Sequence, residues 1–181
     1  FAAVDELVQK YFESRFLSSF EPLAAEPTPQ VTSVFLYEFK DVEQSHLELN
    51  WGGSSLCDKD VYAVAVLSDI MGGGMTSRLV QEIREKRGLA YSVFCGTSLY
   101  KNCGGFEIYA GYNPKKSKQI AELVLQETQK IAEKGVTCAE LERSVMLSVN
   151  SIYMAAEANM SLMRLNGRRI LKTDKPFDIE Q

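Results

Sequence analysis

Two side chains seven positions apart, Arg84 and Tyr91, have the types and spacing best suited to chemistry. Arginine offers a planar fork of donors and keeps its charge at any ordinary pH, and a phenol adds one more donor. Aimed at one point, the pair suits a peptide carbonyl, a carboxylate or the oxyanion of a developing tetrahedral intermediate. A plainer reading, favoured by composition alone, pairs Arg84 on the surface with Glu82 or Glu85 and puts Tyr91 in the core.

The triple glycine Gly72, Gly73, Gly74 is the second candidate. Glycine-rich turns ahead of helix N-termini bind phosphate, because free N–H groups point outward there. A P-loop, however, follows a strand and supplies a lysine. Here a helical pattern comes first and Met75-Thr76-Ser77 comes after. The glycines read better as a joint between two helices, with Thr76 or Ser77 capping the second.

His46 is the single histidine. It alternates with Leu47, Leu49 and Trp51, which places it on the polar face of a strand as a satisfied surface group. A zinc hydrolase site draws on two or more histidines, so none is expected in this chain. Cys57, Cys95, Cys103 and Cys138 contain no C-x-x-C pair and read as reduced, mostly buried thiols. A bridge between Cys95 and Cys103, which flank an expected hairpin, stays open.

The elements that must position Arg84 and Tyr91 follow from periodicity. Met75 to Lys86 reads as a short amphipathic helix, with Leu79 and Ile83 on one face. Basic residues crowd its last turn and Gly88 offers a left-handed cap. Leu89 to Ser98 and Gly105 to Tyr112 read as a hairpin around Leu99 to Gly104. Upstream lie an amphipathic helix over 2–16, a proline-rich linker over 17–30, strands over Val31–Phe39 and His46–Trp51, and a helix from Asp58 to Met71. Downstream, a helix runs from Lys115 to Lys134 with Gly135 as its cap. A capping box at Thr137–Glu140 starts a long helix with Leu141, Val145, Val149, Ile152 and Ala156 on one face and a break near Asn159–Ser161. Met154, Met160 and Met163 cluster at its far end, as core filler or a contact surface. The sum is an α+β fold, an antiparallel or mixed sheet covered on one face by helices. Residues 31–172 form the domain and 173–181 begin a further segment.

The chain has 181 residues and a net charge of −4, with no basic patch interleaved with aromatics, which argues against nucleic-acid binding. No apolar run approaches the ~20 residues needed to span a bilayer. The chain opens on Phe1 instead of Met, so it reads as a fragment or a processed product whose compartment stays open.

Residues 72–93, GGGMTSRLVQEIREKRGLAYSV, resemble a signature of the C-terminal homologous domain in the pitrilysin/insulinase family of zinc peptidases, inverzincins that include the mitochondrial processing peptidase and insulin-degrading enzyme. Further matches run in order over residues 31–172. Glu43-Gln44-Ser45-His46 resembles the family's E-Q-x-H stretch, Gly104 to Gly111 its second hairpin strand, and Gly135-Val136-Thr137 with Glu140-Leu141 the start of its long helix. Trp51-Gly52-Gly53 departs from the expected strand ending. The chain looks similar to processing-peptidase-like bacterial members.

The resemblance implies a metalloendopeptidase whose preceding domain binds zinc through H-x-x-E-H. That motif is absent here, so the isolated chain is expected to bind no zinc and to be inactive. The resemblance further implies that Arg84 and Tyr91 bind the backbone of a peptide substrate across a closed chamber. The partner would be an N-terminal catalytic domain in the same chain or another subunit, with a dimer possible. Helix 2–16 would end the catalytic half. Two alternatives are an inactive paralogue or partner subunit with a role in assembly, and a small-ligand or phosphate-binding α+β module.

Overall fold

The computed structural model describes residues 2–16, 36, 38, 41–173, 175 and 176. The linker expected over 17–30 lies outside them. So does the strand expected over Val31–Phe39, apart from Leu36 and Glu38, and most of 173–181. The chain divides into two units, residues 1–32 and 33–181. The first contains helix α1 (Ala2–Phe16), whose apolar residues Val4, Leu7, Val8, Tyr11 and Phe12 are exposed.

The second unit is built on three antiparallel strands, β1 (Ser45–Gly53), β2 (Ala90–Leu99) and β3 (Gly104–Tyr112), in the order β1-β3-β2. β1 pairs with β3 from Ser45↔Tyr112 to Gly53↔Gly104. Because side chains alternate across a strand, this register gathers Leu47, Leu49, Val93, Cys95, Ile108, Ala110 and Tyr112 on one face. Helices cover that face. Met71 from α2 (Val61–Gly72), Leu79, Val80 and Ile83 from the following turn, and Ile120 and Val124 from α3 (Ser117–Lys134) complete one core with it. The α+β class expected from the sequence, with an antiparallel sheet covered on one face, is the one found. His46 and Glu48 stand on the other face, which no helix among the described residues covers.

The N-cap of α2 is Asp60 and not Asp58: the Asp58 carboxylate accepts the Asp60 N–H at 3.0 Å, capping the turn ahead of the helix. A short 3₁₀ turn at Pro114–Lys116 leads into α3, and Gly135 ends it at φ 69°. The capping box is present, with the Thr137 hydroxyl and the Glu140 side chain each accepting the other's backbone N–H at the start of α4 (Cys138–Glu157). The break falls at Ala158, in extended conformation, before α5 (Asn159–Thr173).

The α4 residues Leu141, Val145, Val149 and Ile152 share one face, as expected, and that face is exposed; on that helix only Ser144 is buried. α2, α3 and the turn between α2 and β2 already occupy the sheet, so α4 packs on α2 and α5 instead. The α-helix expected over Met75–Lys86 is not found. Residues 75–77 form a turn, Arg78 and Leu79 are helical, and Val80–Glu85 is a π-helical turn. All four cysteines are free, which leaves no bridge between Cys95 and Cys103, but they are not the mostly buried thiols expected: Cys57 and Cys138 are exposed and Cys95 and Cys103 half-buried. Burial, with Glu107 nearby, pushes the Cys95 thiol up to about 12.

Candidate functional site

The glycine run, the π turn and the start of β2 form one continuous device. At its first joint the last turn of α2 lies directly on β2. A Cβ added at Gly72 would fall 2.6 Å from Cys95 Sγ and 2.8 Å from the Phe94 carbonyl carbon, closer than real contacts allow. One at Gly73 would fall 2.6 Å from Asp69 Cα, whereas at Gly74 the space is open. Gly73 has φ −78°, an ordinary right-handed value, so close approach, not backbone freedom, calls for glycine at this joint. The Gly73 N–H donates to Asp69 O at 2.9 Å and the Ser77 N–H to Gly74 O at 3.0 Å. Those donors are used internally, and the Asp69 carboxylate adjoins Gly73, so an anion would meet negative charge there. Ser77 bonds back to Gly74 through its hydroxyl as well, at 2.5 Å.

The π turn follows. Leu79, Val80 and Ile83 are all buried, and the Lys86 N–H reaches back five residues to Gln81 O at 3.0 Å. Single π turns are rare and often sit at functional sites. The turn closes at Gly88, φ 59°, whose N–H donates to Arg84 O at 3.0 Å, while the Leu89 N–H donates to Ile83 O at 2.9 Å. Arg84, near the exit, has an exposed side chain. Its Nε is 3.6 Å from the Glu85 carboxylate and one terminal nitrogen is 3.9 Å from the Met75 sulfur. These are loose contacts, and the guanidinium is largely available. Glu82 is occupied instead with Lys86 and Arg87, whose hydrogen bonds to it hold its carboxyl down at about 2.

Tyr91 stands on a β-bulge. Ala90 pairs with Tyr112 and Ser92 with Gly111, so Tyr91 has no partner on β3. The bulge turns the phenol outward, and at 66% exposure Tyr91 is not a core residue. Half of the plainer reading is thereby set aside, while its other half survives weakly in the Arg84–Glu85 contact. Arg84 and Tyr91 are both solvent-facing and each sits on a local irregularity, joined by six residues that include the Gly88 cap.

Sequence reasoning missed two further parts. Arg78 opens the turn and forms a two-pronged ion pair with Glu140, Nε to Oε1 at 2.6 Å and a terminal nitrogen to Oε2 at 2.7 Å. The same nitrogen donates to Gly135 O at 3.2 Å. Glu140 thus serves its capping box and Arg78 together, and Arg78 followed by the Thr137 bonds lowers its carboxyl to about 2. A signal existed: a cation in the first turn of a helix opposes the helix dipole and therefore asks for an outside partner. The Glu82 clamp, with Arg87 donating to the Glu82 carbonyl at 2.6 Å, spans five residues and was hidden by the assumption of α spacing.

His46 is the satisfied strand residue expected, its Nδ1 2.6 Å from the Tyr109 hydroxyl. Among the described residues, no group of three or more His, Cys, Asp and Glu could hold a metal. The residues described here therefore do not fit a zinc centre. No helix among them is long and apolar enough to cross a membrane.

The fold is that of the two-layer domains found in known peptidases. A protease from Helicobacter pylori superposes with a TM-score of 0.75 over 96% of this chain and 43% of that one, at 24% identity. The peptidase M16 inactive domain from Pseudomonas fluorescens is 33% identical, with a TM-score of 0.55 over 57% of this chain and 25% of that one. Residues 2–147 match the sequence profile of the peptidase M16 inactive domain, and the chain belongs to that family. A zinc protease of Streptomyces coelicolor is 39% identical over 71% of this chain and 28% of its own length. One of Bacillus subtilis is 33% identical over 84% of this chain and 37% of its own. The chain thus spans well under half the length of these relatives.

Proposed function

We propose that this domain is the zinc-free half of a zinc metalloendopeptidase, forming one wall of a closed chamber against a zinc-binding half on the same chain or a partner subunit. Arg84 and Tyr91 would hold the substrate backbone and donate hydrogen bonds to the tetrahedral oxyanion. A zinc-bound water in the other half would make the attack, so this chain supplies binding and charge stabilisation.

One observation carries the reading: within eight residues a π turn and a β-bulge bring an arginine and a tyrosine out of a tightly packed unit into solvent, with only loose contacts to either. Membership of the M16 family and relatives named zinc proteases support it.

The test is made in the peptidase assembled with its zinc-binding half. Arg84→Ala and Tyr91→Phe are each expected to lower kcat/KM by roughly 100- to 1000-fold, the range for loss of an oxyanion-type donor, with zinc content unchanged. Unaltered kinetics would remove the assignment.

A further inference from the structure

The Arg84 assignment raises a question about geometry. Burial of Leu79 and Ile83, four residues apart, suits α spacing as well as π spacing, so the apolar face does not select the wide turn. The choice has consequences. Retightening the segment to α spacing would rotate everything after the tightened turn by roughly 100° about the helix axis, the rotation of one residue. Arg84 lies near the exit of the turn and would be carried away from its present direction.

Polar contacts at the two ends distinguish the registers. At the entrance, the Arg78 fork is fixed on both Glu140 oxygens and on Gly135 O, which ties the first residues of the turn to the start of α4. At the exit, Arg87 reaches back five residues to the carbonyl and the carboxylate of Glu82. Gln81 Nε2, donating to Met75 O at 2.7 Å, ties down the preceding turn, whose Met75 sulfur touches the Arg84 guanidinium.

We propose that Arg78, through its ion pair with Glu140, and Arg87, through its clamp on Glu82, are positioning residues that hold the π turn in the wide register and so aim Arg84. The inference rests on the reading of Arg84 given above. Neither arginine touches the substrate. Both act through Arg84.

A double-mutant cycle in the assembled peptidase tests this. Arg78→Ala and Arg87→Ala are each expected to lower kcat about 5- to 10-fold with KM little changed, because what is lost is aim toward the transition state. In an Arg84→Ala background each is expected to have less than about a twofold further effect, since residues acting through one group are not additive. Arg78→Lys keeps one ionic contact with Glu140 and is expected to recover most of the rate; should Arg78→Ala fail to fold, Glu140→Gln, which removes the ion pair but keeps a capping-box side chain, takes its place in the cycle. Equal losses with and without Arg84, or no loss with Arg84 present, overturn the inference while leaving Arg84 its role. Silence of Arg84→Ala itself overturns both.

Discussion

The two ends of the stretch Gly72–Tyr91 are built on opposite terms. At Gly72 the chain is so close to β2 that one added carbon cannot be placed, and Leu79 and Ile83 next to it are fully buried. At the other end Arg84 and Tyr91 face solvent and touch little. Tight packing makes a residue costly to change without making it chemically useful, because its surface is already spent on neighbours. The exposed end has the reverse property: its side chains can be changed at small cost to stability, so they are free to serve a ligand.

That contrast can be broken at several points. Leu79→Ala should be the most damaging, removing about 3 kcal/mol by transfer and cavity terms together, read as a shift in denaturation midpoint at unchanged slope. Gly72→Ala should come next at about 2 kcal/mol, because its clash is with strand backbone that cannot step aside. Acid titration should follow in size. Glu82 and Glu140 have folded values near 2 against an ordinary 4.5. Depressed carboxyls contribute stability that is present above their unfolded value and lost as pH falls toward the folded one. Denaturant midpoints should therefore decline between about pH 4.5 and 2. The double variant Glu82→Gln with Glu140→Gln should flatten that decline. Gly74→Ala should do least, within about 0.5 kcal/mol, since nothing stands where its methyl would go and its neighbours' clashes are absent. A Gly74 variant as damaging as Gly72→Ala would refute the account of the joint.

The sequence carried the element order, the capping box at Thr137, the left-handed cap at Gly88 and the open-face position of His46, all of which local chemistry dictates. It also carried the resemblance that points to Arg84 and Tyr91, both of which stand exposed in the structure. What it did not carry depends on distance in space. The π register of Val80–Glu85 is invisible to a pattern whose apolar residues fit α spacing equally well. Arg78 finds Glu140 sixty-two positions away. The period of α4 is helical, and periodicity says only that Leu141, Val145, Val149 and Ile152 share a side. Whether anything covers that side is decided by which elements reach the sheet first.

The bulge at Tyr91 lets the strand carry a phenol without disturbing its ladder. Ala90 faces the core opposite Tyr112 and Ser92 faces outward opposite Gly111, so the two would follow each other in perfect alternation if Tyr91 were excised. The ladder is complete without it. In genetic terms Tyr91 is the equivalent of one extra codon in an otherwise regular strand. A chain lacking that codon should keep every strand pairing from Ser92 to Leu99 while losing the one residue the bulge exists to present.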